Sequence, residues 1–510
     1  MMLSATALPQ AIAQSPLRFT LPVGPFAVGF RTVDQFDYSR SLGESDDDDG
    51  KIVRGVRPRA MQTSIWYPAI QRGSGMRWED YAALAVQPGE FPPKDAAVRR
   101  RNAERFAFTL GSKDTVRIRR ELRTAMQATR DAAPAKGKFP VIIYGPSFNA
   151  PSFENAKLME YLASHGYLVI ATPSIGAQGL QTTDVAGFET QARDMEFLIA
   201  YARQIPGADL DHIAVMGFSW GGISDVLVAL RNPQVKALIT LDGSIQYFYH
   251  SLFEKAPFVG RAQLAIPALF LAQRTPTAEM SASLGADSVF AYFGTLKYSD
   301  AYLVRLETIA HQNFGEWYNR LNPAGSAYFV FDTVVQSAGA ERIAAYVRQF
   351  LDAYLKGSST AKAWLARTPS ENGFPAAEVV MQHTAAISMP PNTIGRFVNA
   401  LSQRHMPLAQ APAFLRELVS ADATFRLEES SVNGWGYRLL QAKRVEDAIG
   451  VLVMNTIMYP RSGNVWDSLG EAQTMHGDTA LAIQSYRKSL ELDKTNTNAV
   501  EMLKKLRAAP

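Results

Sequence analysis

Ser219 stands in "AVMGFSWGGISD" (residues 214–225), directly after an apolar run and beside Gly217, Gly221 and Gly222. A G-x-S-x-G pentapeptide between a buried strand and a helix forces a tight turn. That turn lifts the serine hydroxyl above the sheet and aims a helix N-terminus at it. The chemistry such a serine does is attack on a carbonyl carbon. Its hydroxyl is a poor nucleophile near neutral pH, so a base must take its proton and an acid must hold the base. The pentapeptide alone arises by chance; the apolar strand before it and the apolar helix after it single this copy out.

The base is sought among seven histidines. His165 ends a predicted helix, where capping suffices as a role, and His212 opens the serine's own strand at the opposite edge of the sheet. His383 and His405 fall in a Pro-containing stretch and His476 in a helical turn. His250, after an aromatic cluster, remains possible. His311 is best placed: it follows "AYLVRLETIA", the last predicted strand, at the head of the loop "HQNFGEW". For the acid, the strand "VKALITLD" ends in Asp242, one strand along from Ser219 and at the same edge. The position after the next strand, "IPALFLAQ", offers only Glu279 and, further out, Asp287; Glu279 stands second. The order Ser, Asp, His along the chain agrees with an α/β-hydrolase. Trp220, directly after the nucleophile, would supply one backbone N–H to a developing oxyanion.

These residues need a scaffold. From Phe139 onward, apolar strands ("FPVIIYGP", "YLVIATP", "HIAVMGFS", "VKALITLD", "IPALFLAQ") alternate with helices. That alternation predicts an α/β fold with a mostly parallel sheet covered by helices on both faces. Two earlier segments, "GPFAVGFRTV" and "MQTSIWYPAI", read as antiparallel strands. The acidic run Asp46–Asp49 between them reads as a solvated turn rather than a calcium loop. Residues 71–137 read as a mainly helical insertion; its arginine-rich words "VRRRNAERFAF" and "VRIRRELRTAM" fit a solvated face better than an anion site. The helix "ERIAAYVRQFLDAYLKG" closes a hydrolase domain spanning 16–358. Residues 359–418 read as a connector, and 419–510 as a small all-α domain of helical repeats. In that last part Gly436 and Gly470, Ala448 and Ala482, and Leu452 and Tyr486 each recur at a spacing of 34 residues. The aromatic words "IQYFYH" and "VFAYFG" are candidates for an acyl pocket, with core packing as the default.

The words "FPVIIYGPS", "LASHGYLVIATP", "GFSWGG", "LDGS" and "HQNF" make residues 139–315 resemble the platelet-activating factor acetylhydrolase group of α/β-hydrolases, close to dienelactone-hydrolase-like esterases. The resemblance implies that the acid follows the strand after the nucleophile, which fits Asp242, and that the base lies in the H-Q-N-F loop, which fits His311. It also implies that Phe148 gives the second oxyanion N–H. There "GPSFNA" departs from the group's H-G-x-G loop, with Pro146 and Ser147 where His and Gly are usual. The segment "VWDSLGEAQTMHGDTALAIQSYRKSLELD" resembles a tetratricopeptide repeat through Trp466, Leu469, Gly470, Gly477, Ala482 and Tyr486.

Composition narrows the classes. A net charge of +4 in 510 residues argues against a dedicated nucleic-acid binder, and the absence of cysteine removes disulfides, thiolate metal sites and a cysteine nucleophile. No apolar stretch is long enough to span a membrane. Residues 1–15, ending near an A-x-A pattern, read as the remnant of an export signal, so a periplasmic or secreted protein is expected. The expectation is therefore a serine hydrolase of small-molecule or lipid-like carboxylic esters, with no metal or organic cofactor. A peptidase or amidase with the same triad is the alternative. An inert hydrolase-fold scaffold that binds a protein partner through its repeats is the rival from another class.

Overall fold

A computed structural model of the chain describes residues 15, 17–43, 45–46, 52–53, 57–111, 114–256, 259, 263–275, 282, 290–321, 332–387, 393–423 and 425–508. The chain divides into two compact units, residues 1–387 and 388–510. The export-signal expectation falls outside the described residues except for Ser15, and the acidic run does so except for the backbone of Asp46.

The first unit opens with β1 (Ala27–Leu42) and β2 (Arg57–Ala69), paired antiparallel. Residues 71–137 then form β3 (Gly75–Arg77), α1 (Trp78–Ala82), α2 (Ala96–Leu110), α3 (Thr115–Leu122) and β4 (Ala125–Arg130). The segment is therefore not only helical. β4 pairs with β1 and β3 with β4, so its two strands extend the sheet at one edge. Both are short and flank helices, which hides the period of two that would reveal them.

Alternating strands and helices follow: β5 (Phe139–Gly145), α4 (Ala156–Ser164), β6 (Leu168–Ala171), α5 (Val185–Ala202), β7 (Ala208–Phe218), α6 (Trp220–Arg231), β8 (Val235–Leu241), β9 (Ala268–Gln273) and β10 (Ala301–Leu306). After α7 (Glu316–Leu321) and α8 (Thr333–Tyr354) come α9 (Ser359–Leu365) and β11 (Val379–Thr384). One sheet of 11 strands results, in the order β11-β10-β9-β8-β7-β5-β6-β2-β1-β4-β3. The six central strands, β5 to β10, are parallel. Their unbroken apolar runs follow from burial on both faces. Val141 and Ile143 of β5 pack with Met195 and Leu198 of α5 and Val226 of α6. Ile142 and Tyr144 of the same strand face the opposite core, with Met159 of α4 and Val347 and Phe350 of α8. This is the α/β-hydrolase arrangement. The chain runs from β5 to β6 on one side and returns through β7 on the other. The carboxyl ends of β5 and β7 thus flank a switch point, where such sheets open a crevice.

Residues 359–418, read as a connector, are shared between the units. β11 pairs antiparallel with β10 and closes one edge of the sheet, because Val379 and Met381 pack against its core. In the second unit α10 (Ile394–Gln403) and α11 (Ala411–Ala421) precede two helical hairpins, α12 (Glu429–Gln441) with α13 (Val445–Met458), and α14 (Gly463–His476) with α15 (Thr479–Leu492). A side chain at Gly436 would collide with Leu452, and one at Gly470 with Tyr486. The 34-residue recurrence thus marks the same close helix approach in both hairpins. No helix among the described residues is long and apolar enough to cross a membrane.

Candidate active site

β7 delivers Ser219 to the carboxyl edge and α6 begins at the next residue. Ser219 holds φ 52° and ψ −116°, a conformation that costs an L-residue energy and persists only where neighbours impose it. The neighbours are close. A Cβ at Gly217 would lie 2.4 Å from Asp225 Oδ2, and one at Gly221 would lie 1.9 Å from the carbonyl oxygen of Gly145. Glycine at 221 therefore lets the end of β5 rest on the start of α6. The serine's backbone is stitched to β8: its N–H donates to the Leu241 carbonyl (3.1 Å), and its carbonyl accepts from the Ser244 N–H (2.7 Å).

Asp242 follows β8 at the same edge, fully buried. One carboxylate oxygen accepts from the Tyr247 hydroxyl (2.8 Å) and the Gln273 backbone N–H (3.0 Å). The other lies 2.5 Å from His311 Nδ1, and His311 Nε2 lies 2.9 Å from Ser219 Oγ. Asp242 thus fixes the proton on Nδ1 and leaves Nε2 as the acceptor for the serine hydroxyl. The imidazole sits over Phe218, with ring centroids 5.1 Å apart. The remaining histidines have other partners or positions. His165 caps α4, His212 pairs with Asp209, and His250 pairs with Glu254. Glu279 and Asp287, the acids that follow β9 in sequence, lie outside the described residues.

Gln273 was not anticipated as a site residue. It closes β9 where an alternative acid was sought, and it holds three groups at once. Its backbone N–H serves Asp242, its amide nitrogen reaches the Tyr247 hydroxyl (3.1 Å), and its amide oxygen accepts from the His311 N–H (2.8 Å). The sequence signal was a single polar residue ending an apolar strand. Tyr247, grouped with pocket-lining aromatics, instead buttresses the acid. Tyr292 packs against Phe253 and Phe270 in the core.

The loop after β5 carries Phe148. Its ring packs edge-on to that of Trp220 at 6.0 Å. Among the described residues, neither the Phe148 nor the Trp220 backbone N–H has an acceptor in the protein, which leaves both open to a substrate oxygen. The loop is held by Glu154, a fully buried carboxylate. It accepts from the Ser147 N–H (2.8 Å), the Ser147 hydroxyl, the Tyr144 hydroxyl (3.1 Å) and Trp317 Nε1 (3.2 Å). Trp317 belongs to α7, just beyond the His311 loop, so Glu154 ties the Phe148 loop to the histidine loop. Burial raises the Glu154 carboxyl pKa above its ordinary value, against the pull of these donors.

Both oxygens of Glu154 are needed as acceptors. Glu154→Gln must turn an NH2 toward one pair of donors, which releases the loop. With the Phe148 N–H as the oxyanion donor that the family resemblance implies, kcat is expected to fall about 100-fold with KM little changed. In the native protein, protonation at low pH has the same consequence, so activity gains an acidic limb that the Gln variant lacks. Stability moves the other way. Because the folded carboxyl keeps its proton to higher pH than the unfolded one, its contribution is full below the ordinary value of 4.5 and is lost as pH rises through the folded value. Steady-state pH profiles and thermal melts of the two proteins check both statements.

Beside the Phe148 loop lies a cleft of about 450 Å³, reaching from Asn149–Pro151 to Leu84, Phe106 and Leu110 of the 71–137 segment. Its far wall is the loop after β6, including Ile175. A buried ion pair fixes that wall: Arg59 meets Asp194 at 2.6 Å and donates to the carbonyls of Ile175 (2.7 Å) and Gly176 (2.8 Å). Glu90 is the one carboxylate among the described residues lining the cleft.

One family model matches more than half of the chain. The family model described as X-Pro dipeptidyl-peptidase (S15 family) matches residues 126–412, a span that includes Ser219, Asp242 and His311. Among solved structures, a ferulic acid esterase from Streptomyces cinnamoneus is similar, at 20% identity and a TM-score of 0.48, over 71% of this chain and 98% of that one. No curated protein matches the chain.

Proposed function

From a chain that belongs to the X-Pro dipeptidyl-peptidase (S15) family of hydrolases, we propose a serine hydrolase that cleaves carboxylic esters through an acyl-enzyme. Ser219 Oγ attacks the ester carbonyl while His311 Nε2 takes its proton. The tetrahedral oxyanion is received by the N–H groups of Trp220 and Phe148, and the imidazolium is stabilised by Asp242. The intermediate collapses as Nε2 returns the proton to the departing alcohol oxygen. Water, deprotonated by the same nitrogen, then attacks the acyl carbon and releases the acid and Ser219. The observation that carries the reading is the run of contacts from Asp242 to His311 (2.5 Å) to Ser219 (2.9 Å) at one sheet edge.

The cleft beside the Phe148 loop would take the substrate beyond its reacting carbonyl, and its apolar walls favour an uncharged ester. Leu110→Trp at its rim should raise KM for bulky acyl p-nitrophenyl esters roughly tenfold while leaving the acetate unaffected. Equal effects on both esters would remove the cleft from the binding site.

A second reading is favoured by the family match: removal of an X-Pro dipeptide from a peptide. Such a substrate brings a free ammonium group, which Glu90 would have to receive. Short-chain p-nitrophenyl esters set beside an X-Pro p-nitroanilide decide between the two. Turnover of the anilide at a kcat/KM above that of the esters would replace the ester reading. Turnover of neither, with no fluorophosphonate labelling of Ser219, would leave an inert scaffold.

A further inference from the structure

Away from the serine, the 71–137 segment gathers five arginines from separate stretches of chain around one cleft of about 270 Å³. Arg77 precedes α1, Arg99 and Arg100 lie in the first half of α2, Arg123 follows α3, and Arg130 ends β4. Among the described residues only two carboxylates, Glu79 and Asp80, share the lining. Glu79 approaches Arg77 no closer than 3.9 Å, and their side chains are 34% and 52% exposed, which makes a weak pair. Asp80 is engaged with the Arg77 backbone N–H at 2.7 Å. Arg100 leans toward Glu104 at 3.5 Å, while Arg99, Arg123 and Arg130 have no carboxylate partner among the described residues. Arg130 lies over the Phe30 ring instead.

Two physical costs converge here. Like charges drawn into one cleft repel, and Arg99 and Arg100 sit toward the positive end of the α2 dipole, where cations are disfavoured. Ala96, in the first turn of α2, also lines the cleft. A bound anion would offset both costs. A solvated face, the reading that the sequence favoured, gives no reason for guanidinium groups from four segments to meet at one concavity.

We propose that this cleft binds a multivalent phosphate-type oxyanion, received by the forks of Arg99 and Arg123 with Arg77 and Arg130 beside them. Guanidinium forks match several oxygens on one centre, and the volume suits a diphosphate rather than a larger polymer. The same group occurs free, on a phosphorylated small molecule, or as the headgroup of an anionic lipid.

Calorimetric titration of the full chain with inorganic pyrophosphate at about 0.15 M salt tests the site. One ion per chain is expected, with affinity lowered roughly tenfold or more in Arg99→Gln/Arg123→Gln, the scale of a lost charge-assisted hydrogen bond. Glu79→Gln, which removes a competing carboxylate, should tighten binding, a gain that misfolding cannot mimic. A parallel arm uses phosphatidylglycerol–phosphatidylcholine vesicles. Pyrophosphate binding without vesicle capture identifies a free ligand; capture that the double variant abolishes identifies a headgroup. Binding in neither arm, or equal binding by wild type and double variant, overturns the proposal.

Discussion

Ser219→Ala is expected to lower kcat on p-nitrophenyl acetate about 10⁶-fold and to abolish fluorophosphonate labelling. The size follows from the mechanism proposed: without Oγ there is no acyl-enzyme, and His311 has no hydroxyl to deprotonate. What remains is attack by water on a carbonyl still polarised by the Trp220 and Phe148 amides, about 10³–10⁴-fold above the uncatalysed rate. The fold should not suffer, because the backbone bonds of Ser219 to Leu241 and Ser244 do not use its side chain. A second variant separates chemistry from strain. Ser219→Gly is equally inactive, yet glycine accepts φ 52° without penalty, so it should melt higher than Ser219→Ala by about 1 kcal/mol of stability. Full activity in either variant would remove Ser219 as the nucleophile.

What the sequence made legible is what chain-local signals encode. Apolar runs such as "FPVIIYG" announced parallel strands because both of their faces are covered. The glycines around Ser219 announced a turn because backbone of β5 and α6 occupies the space side chains would need. Asp242 and His311 were sought at strand ends, and they stand at the edge of the sheet that bears Ser219. The supporting contacts were not legible. Gln273 acts on groups of two distant segments, Asp242 with Tyr247 and the His311 loop, and Glu154 looks in sequence like any acid before a helix. No period or spacing marks such a residue; only the folded sheet brings its partners together. β3, β4 and β11 escaped notice for a related reason. Each is short and lies at or next to an edge of the sheet; β3 and β11 have one partner strand each, and β4 lies between β1 and β3, so the period-two pattern stays weak.

Asp242→Asn separates this site's acid from every alternative. The aspartate oxygen that accepts from Tyr247 and the Gln273 N–H faces two donors, so an asparagine there must keep its carbonyl oxygen on that side. Its NH2 is then forced toward His311 Nδ1. A donor there admits only the tautomer with Nδ1 bare and the proton on Nε2, the nitrogen that has to accept from Ser219. The imidazole stays in place and cannot act as base, so kcat should fall about 10⁴-fold with KM nearly unchanged. Fluorophosphonate labelling of Ser219 should slow in proportion, because it needs the same proton transfer. Glu279→Gln should leave kcat unchanged. If instead Asp242→Asn kept wild-type kcat and Glu279→Gln lost it, the hydrogen bond between Asp242 and His311 would be a structural contact, and the acid would lie after β9.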